Sequence, residues 1–318
     1  MIVQLPDTTA AAVSRALVDL RNEGGAVALG RVLTLVISTT SGAEEAAIRA
    51  ANDASREHPM RVVAVVRDDP QGEPRLDAEI RVGGDAGASE VVVLRAAGPA
   101  GADEEGLVTG LLLPDAPVVA WWPGADAPAV VADSPLGRIA QRRITDAAAH
   151  PDPQRAVDRL ADSYRPGDTD LAWTRLTLWR AVLAATLDQA PWEPVDSVEV
   201  SGATDSASTE LLAAWLGLAL QVPVSVVLSD RSTGSSGIHG VRLRRPSGDV
   251  ELERAVPDVA TLTQPGQPVH DVSLPRRSLR DCLAEELRRL DPDGLYGEVL
   301  TRGLTALDRS PRAGAGGA

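Results

Sequence analysis

The chain has 318 residues, enough for two ordinary domains, and its 44% hydrophobic and 24% charged residues are typical of a globular protein. Its formal net charge of −14 argues against a general binder of nucleic acid or of an anionic membrane, because a polyanion would be repelled. Every one of the 31 basic residues is Arg, which excludes a Schiff-base lysine, a P-loop lysine and a lysine general base.

Cysteine usage indicates the compartment. The single cysteine, Cys282, excludes an intramolecular disulfide and a zinc site built on cysteines. This fits a reducing cytosol, and residues 1–7 lack the basic region and apolar run of a signal peptide. We therefore expect a cytoplasmic protein.

Apolar periodicity in the first half predicts alternating helices and strands. In chain order we predict a helix over 8–21, a strand over 31–39, a helix over 43–57 and strands over 61–67, 76–82 and 89–96. A helix over 104–113, a strand over 117–122, and helices over 136–148 and 154–163 follow. The helix over 43–57 carries a stripe of alanines, which suits close packing on a sheet. The alternation predicts an α/β domain over residues 1–165.

The second half begins in the same way and then changes. We predict a long helix over 168–188, a strand over 195–200, a helix over 208–220, a strand over 224–228, an antiparallel meander over 238–264, and helices from 278 and from 294. The fold class is therefore α/β in the first half and α+β in the second, with mixed sheets flanked by helices. The second domain covers 166–307, and we expect residues 308–318 to form a disordered tail.

One stretch without charges raises the question of a membrane span. Residues 211–229 contain no charged side chain, but they include Gln221 and Pro223, and their second half is rich in β-branched residues. A buried helix, a tight turn and a buried strand explain this stretch better than a transmembrane helix.

No catalytic centre or cofactor site is predicted. The four histidines form no closely spaced pair, and the chain contains no G-x-S-x-G motif. The glycines of Gly24-Gly25 and Gly30 follow a predicted helix and precede a strand, so they are in the wrong order for a phosphate-binding loop, and we predict a helix C-cap at Gly24-Gly25. Gly234–Gly237 is typical of a hairpin turn. We expect no cofactor and no metal.

The segment around residue 168 leaves alternatives open. Asp168 and Asp170 form a D-x-D pair, which can hold a divalent cation, but their place at a predicted helix start favours helix capping. The helix that follows is apolar over most of its circumference, which indicates burial. Trp173 with Arg180 is alternatively part of a partner surface, since Trp and Arg are enriched at binding hot spots.

Long segments of the chain resemble the OpcA family. The resemblance is carried by Leu113–Gly124 (LPDAPVVAWWPG), Gln141–Asp146 (QRRITD) and Pro166–Arg180 (PGDTDLAWTRLTLWR), and by residues 23–36, 52–59 and 282–292. It implies a non-enzymatic glucose-6-phosphate dehydrogenase assembly protein or allosteric subunit, which associates with that enzyme and promotes its active oligomer in the oxidative pentose phosphate pathway. It implies no catalytic residue.

Two functional hypotheses follow. The first places a partner surface near eight residues, whose alternative role is in the core or on a solvated helix face: Trp121, Trp122, Arg142, Arg143, Asp168, Asp170, Trp173 and Arg175. The second is an enzyme or sensor that binds a sugar phosphate or nucleotide through Asp168, Asp170 and Arg175 with the Arg142-Arg143 pair, because Arg grips phosphate with two hydrogen bonds.

Overall fold

The computed structural model describes residues 1–23, 32–82, 90–229 and 236–307. Its strands are β1 (Ile2–Leu5), β2 (Leu33–Thr40), β3 (Met60–Arg67), β4 (Arg75–Arg81), β5 (Glu90–Ala97), β6 (Val118–Trp121), β7 (Arg142–Thr145), β8 (Asp168–Asp170), β9 (Ser197–Ala203), β10 (Val224–Ser229), β11 (Ile238–Arg244), β12 (Val250–Val256), β13 (Val259–Thr263) and β14 (His270–Ser273). Its α-helices are α1 (Ala10–Glu23), α2 (Glu44–Ala54), α3 (Glu104–Thr109), α4 (Pro135–Ile139), α5 (Pro153–Ser163), α6 (Leu171–Thr174), α7 (Thr177–Leu187), α8 (Ala207–Leu220), α9 (Leu279–Arg288) and α10 (Gly294–Glu298).

The chain divides into two compact units that exchange segments. The first contains Met1–Ala149, Arg165–Leu171 and Ser278–Asp293, and the second contains His150–Tyr164, Ala172–Arg277 and the chain from Gly294 onward. The sequence predicts one boundary near residue 165 instead. The difference has a physical reason, because the apolar stripe of a helix such as α9 shows that it packs on a core without showing on which core.

The first unit is built on an eight-stranded sheet in the order β1-β4-β5-β3-β2-β6-β7-β8. Six of these strands are parallel, and β1 and β4 pair antiparallel at one edge. Numbered by chain order among themselves, the parallel strands follow 3-2-1-4-5-6, which is the strand order of the Rossmann fold. The order reverses between β2 and β6, and ligands of such sheets bind in the crevice at the carboxyl ends of the strands next to this point.

Helices cover both faces of this sheet, so its central strands are apolar on both sides. One face packs against α2 and α9, whose stripe includes Cys282, Leu283 and Leu287. The other face packs against α1, with Val13 and Leu17, and against α3 and α4. The predicted stripe of the helix from 278 is therefore confirmed as core-facing, and a capping box between Ser278 and Asp281 begins the helix.

The second unit contains a six-stranded sheet in the order β10-β9-β11-β12-β13-β14. Apart from the parallel pair of β9 and β10, neighbouring strands are antiparallel, which confirms the predicted meander and extends it by β14. Helix α8 packs on β9 and β10 and contacts α5 and the π-helical turn at Val299–Gly303. The fold class predicted from the sequence, α/β with two mixed sheets flanked by helices, is confirmed.

Several local predictions were wrong. The predicted helix over 136–148 ends at Ile139 and is followed by strand β7, and the predicted helix over 168–188 begins with strand β8. Both strands extend the parallel sheet, with Arg143 paired to Asp168, and this pairing with distant segments overrides the local pattern. Strand β10, predicted as buried, lies at the edge of its sheet and is half exposed, with Val227 and Leu228 accessible to solvent.

Three predictions concern segments outside the described residues. These are the C-cap at Gly24-Gly25, the first half of the Gly234–Gly237 turn and the disordered tail over 308–318. Among the described residues, no helix is long and apolar enough to cross a membrane, and the stretch 211–229 folds as α8, a turn and β10.

Candidate functional site

The two arginines that begin β7 are neutralised inside the first unit. Arg143 contacts the carboxylate of Asp168 through Nε, and its Nη1 and Nη2 donate to the backbone oxygens of Ala140 at 3.1 Å and Pro166 at 2.6 Å. The second carboxylate oxygen of Asp168 accepts from the backbone N–H of Arg165 at 2.7 Å. Each nitrogen of the Arg143 guanidinium and each carboxylate oxygen of Asp168 therefore has a partner within the protein.

Arg142 is satisfied in the same way by the helix that covers the sheet. Its Nε donates to Oε2 of Glu286 on α9 at 3.1 Å, its Nη2 contacts the same oxygen, and its Nη1 donates to the backbone oxygen of Asp291 at 2.7 Å. Both side chains are 5% exposed. This ion pair joins β7 to α9, and it leaves no guanidinium edge open for a phosphate.

Asp170, the second carboxylate of the D-x-D pair, ends strand β8 and is fully buried. It accepts a hydrogen bond from Oγ1 of Thr145 at 2.6 Å and another from the backbone N–H of Ala147 at 2.9 Å. Asp168 lies within strand β8 and not at a helix start, whereas Asp170 directly precedes α6, so helix capping by Asp170 stays a prediction. The described residues contain no group of three or more His, Cys, Asp or Glu side chains suited to a metal ion.

Trp121 and Trp122 lie on opposite faces of the first sheet and are fully buried. Trp121 packs in the core under α2 and α9, and Trp122 packs in the core on the other face. Neither indole N–H has a hydrogen-bond partner among the described residues. The odd Trp-Trp sequence is therefore explained by two apolar cores, one on each side of the strand.

Trp173 forms an aromatic cluster in the second unit and is 1% exposed. Its ring lies 5.8 Å from that of Tyr296, which meets Tyr164 edge-to-face at 6.1 Å, and the guanidinium of Arg180 lies 3.8 Å above it. A Cβ at Gly297 would lie 2.5 Å from the hydroxyl oxygen of Tyr164, so this cluster requires glycine there. The predicted pairing of Trp173 with Arg180 is real, but it is internal.

Seven of the eight predicted site residues are thus buried, and the eighth, Arg175, is half-buried. The structure brings Arg143 and Asp168 together as an ion pair and places Arg142 in a different one. The assignment of these eight residues to a partner surface stays a prediction, and the structure gives seven of them an interior position. The tryptophans fill the apolar cores, and Arg142 and Arg143 are buried together with carboxylate partners because an unpaired charge is costly in an apolar interior.

The crevice where a Rossmann-ordered sheet binds ligands was not predicted from the sequence. The turn from β2 into α2 is Ser41-Gly42-Ala43, and Glu44 and Glu45 open the helix. Oε2 of Glu44 accepts from the backbone N–H of Gly42 at 2.6 Å, and its other oxygen pairs with Arg95 from β5. Burial raises the pKa of Glu44, but these hydrogen bonds outweigh it and hold the pKa below its usual range.

This arrangement places a carboxylate where a dinucleotide would place its phosphates. In dinucleotide-binding proteins the backbone N–H groups of the first turn and the positive end of the following helix face the pyrophosphate. Here Glu44 already takes the N–H of Gly42, so this donor is not open to a phosphate, and Glu44 and Glu45 are themselves paired with Arg95 and Arg81. A strand followed by a turn and two glutamates was the sequence signal for this feature.

The other half of the crevice is filled by a second charge network. Oγ of Ser38 on β2 donates to Oε1 of Glu104 at 2.6 Å, and Nε of Arg67 on β3 lies 3.8 Å from the same oxygen. Arg67 also forms an ion pair with Asp126. The carboxyl ends of β2, β3 and β5 therefore carry the protein's own charged contacts, and the pair of Arg67 with Asp126 reaches the segment after β6.

The first unit therefore has the strand order of a Rossmann fold, and charged side chains of the described residues form ion pairs at its carboxyl edge. A family model for the N-terminal domain of a glucose-6-phosphate dehydrogenase subunit matches residues 51–162, and a second model, for the C-terminal domain of that subunit, matches residues 166–300. The chain belongs to this family, the OpcA family of glucose-6-phosphate dehydrogenase assembly proteins. The resemblance found in the sequence is confirmed.

Comparison with solved structures gives distant likenesses only. A 3-ketoreductase from Actinomadura kijaniata is 12% identical at a TM-score of 0.47, covering 86% of this chain and 96% of its own. An oxidoreductase from Sinorhizobium meliloti is 12% identical at a TM-score of 0.49, covering 87% of this chain and 95% of its own. A myo-inositol dehydrogenase from Lactobacillus casei is 11% identical at a TM-score of 0.47, covering 88% of this chain and 94% of its own. No curated protein matched the sequence. These likenesses carry no argument about activity.

Proposed function

We propose that this chain is a non-enzymatic cytoplasmic subunit that binds glucose-6-phosphate dehydrogenase and promotes the enzyme's active oligomer. The observation that carries the proposal is the family match over residues 51–162 and 166–300, whose two parts are both described as subunit domains of that dehydrogenase. The charge networks in the crevice support the non-enzymatic part. Glu44 forms an ion pair with Arg95, and Arg67 forms one with Asp126, so these charged groups already have protein partners at the crevice.

The test is to purify the matching dehydrogenase with and without this chain and to measure its oligomer size and its turnover. We expect co-elution, a larger assembly and higher activity at the same enzyme concentration, because a protein that binds the assembled state shifts the equilibrium toward it. The matched control is an equal amount of an unrelated protein of similar charge. Separate elution with unchanged size and activity would refute the proposal.

Binding of small phosphorylated ligands gives a second test. We expect no change in the melting temperature of the isolated chain with nicotinamide nucleotides or sugar phosphates, with or without Mg²⁺. The carboxylate of Glu44 fills the phosphate position of the first turn, and Arg142 and Arg143 are committed to Glu286 and Asp168. A saturable rise with ligand concentration would instead support the sugar-phosphate or nucleotide sensor, since a ligand that binds only the folded state raises its stability.

A further inference from the structure

One tryptophan differs from the large aromatic side chains of the cores. Trp192, in the loop between α7 and β9, is 82% exposed, whereas Trp121, Trp122, Trp173 and Trp179 are each at most 2% exposed. Tryptophan is the side chain with the largest apolar area to remove from water, and it is among the residues most enriched at binding hot spots. Such exposure in the unbound chain points to contact with another molecule.

The indole of Trp192 is held in place by its own loop. Its Nε1–H donates to the backbone oxygen of Asp188 at 3.1 Å, and the N–H of Glu193 donates to the oxygen of Pro191 at 3.0 Å. The side chain of Glu193 accepts from the backbone N–H of Ser247 in the β11–β12 hairpin at 3.2 Å. A fixed aromatic side chain loses little conformational entropy on binding, so it can contribute most of its burial to affinity.

Trp192 lies at one end of the six-stranded sheet, where three connections meet. We name this surface the loop end and define it as residues 188–196, 245–249 and 264–269, which precede β9, join β11 to β12, and join β13 to β14. Because β11 and β13 run antiparallel to β9 and β12, all three connections fall at the same end. Nε2 of Gln264 lies 3.5 Å from Oε1 of Gln189, and a second apolar side chain, Val269, is 60% exposed.

A cleft opens at the same end of this sheet. It has a volume of about 480 Å³ and is lined by the first residues of β9 and β10, by Arg244, and by Gly303, Ala306 and Leu307. A cleft of this size admits a large side chain of a partner. The loop end and the cleft together offer a projecting indole and a recess, which is the shape complementarity that central contacts of protein interfaces use.

The charge of the loop end selects the kind of partner. Its residues include four carboxylates, those of Asp188, Glu193, Asp196 and Asp249, and the guanidinium of Arg245. Two further arginines lie beside it, since Arg242 is 3.8 Å from Asp249 and Arg244 lines the cleft, and the carboxylates remain in excess by one. Two copies of this chain that docked loop end to loop end would bring like charges together, which is unfavourable. The surface instead fits a partner that presents an apolar pocket surrounded by basic side chains, and the net charge of −14 extends this preference to long range.

We propose that the loop end, with Trp192 at its centre, is the surface that docks onto glucose-6-phosphate dehydrogenase. This inference rests on the proposed function, since it names the contact face of the same complex. The indole enters an apolar pocket of the dehydrogenase, and the carboxylates around it steer the approach and fix the orientation.

The test compares the affinity of the full-length chain for the matching dehydrogenase before and after Trp192→Ala. We expect a dissociation constant at least about 30-fold higher, the effect of losing a hot-spot side chain. The melting temperature and circular dichroism of the variant stay unchanged, because the side chain is exposed. The matched control is Val256→Ala, which shortens a 54% exposed side chain at the last residue of β12, at the opposite end of the same sheet, and leaves the affinity unchanged.

Charge reversal supplies a second measurement. We expect Asp196→Arg to slow association with the dehydrogenase several-fold at low salt, with the difference shrinking as salt is added. Asp271→Arg on β14, outside the loop end, changes the net charge by the same amount and serves as its control, and we expect it to slow association less than Asp196→Arg does. An Asp196→Arg variant that associates as fast as the wild type would overturn the charge argument.

The outcomes separate the two proposals. A wild-type chain that fails to bind the dehydrogenase overturns the proposed function, and this inference with it. A wild-type chain that binds while Trp192→Ala binds equally well overturns the loop end as the docking surface and leaves the proposed function standing. Loss of a homodimer in Trp192→Ala, with unchanged dehydrogenase binding, assigns the loop end to a second copy and overturns the inference as well.

Discussion

We expect Glu286→Gln to lower the free energy of unfolding by about 3–5 kcal/mol, because it leaves the buried guanidinium of Arg142 without a counter-charge. Gln has the same shape as Glu and keeps one acceptor, so the loss reports charge rather than a cavity. The measurement is urea unfolding, with the transition midpoint and slope compared between variant and wild type.

Two controls isolate the cause. Glu285→Gln changes the neighbouring position on α9, which is only half-buried, and we expect it to cost less than about 1 kcal/mol. The double variant Arg142→Met with Glu286→Leu replaces the pair by apolar side chains, and we expect it to recover most of the lost stability. A loss below about 1 kcal/mol in Glu286→Gln would mean that the ion pair does not join β7 to α9 in solution.

The same ion pair explains what could and could not be predicted from the sequence. The apolar stripe of α9 and its capping box are local patterns, and both were predicted correctly. That α9 packs on the first sheet is visible only in the fold, where its stripe joins the core under α2 and Glu286 meets Arg142, a residue 144 positions away. No periodicity encodes such a pairing, so the helix was assigned to the second domain.

Strands β7 and β8 illustrate a second limit. Arg142–Thr145 and Asp168–Asp170 are only four and three residues long, too short for a period of two to be distinguished from a helical pattern. Their strand conformation comes from parallel pairing in the sheet, and their charges are neutralised across that pairing by Arg143 and Asp168. Local sequence carries neither fact.

Some features of the candidate site could likewise be predicted from the sequence, and others required the fold. The prediction that the chain has no catalytic set rests on residue types and motif spacing alone, and it stays a prediction. The position of Glu44 in the crevice needed the strand order, which only the fold provides. Trp192 did carry a sequence signal, because it lies between Pro191 and Pro194 just beyond a helix, where a tryptophan cannot belong to the stripe of that helix.

Trp173 and Trp192 should respond to substitution in opposite ways. We expect Trp173→Ala to lower the free energy of unfolding by about 3–5 kcal/mol, the usual cost of removing a buried Trp side chain. The ring is 1% exposed and packs against Tyr296 and Arg180, which would be left facing a cavity. Urea unfolding measures the loss.

The conservative variant Trp173→Phe then separates packing from recognition. Phe retains most of the ring contact with Tyr296, so we expect a folded protein that binds the dehydrogenase with wild-type affinity. Trp192→Ala should show the reverse pattern, with full stability and weakened binding. A stable Trp173→Phe variant that fails to bind the dehydrogenase would contradict this expectation and would support the partner surface first predicted from the sequence, which includes Trp173. The comparison is informative because burial and exposure predict opposite effects for the same residue type: the Trp173 side chain is 1% exposed and the Trp192 side chain is 82% exposed.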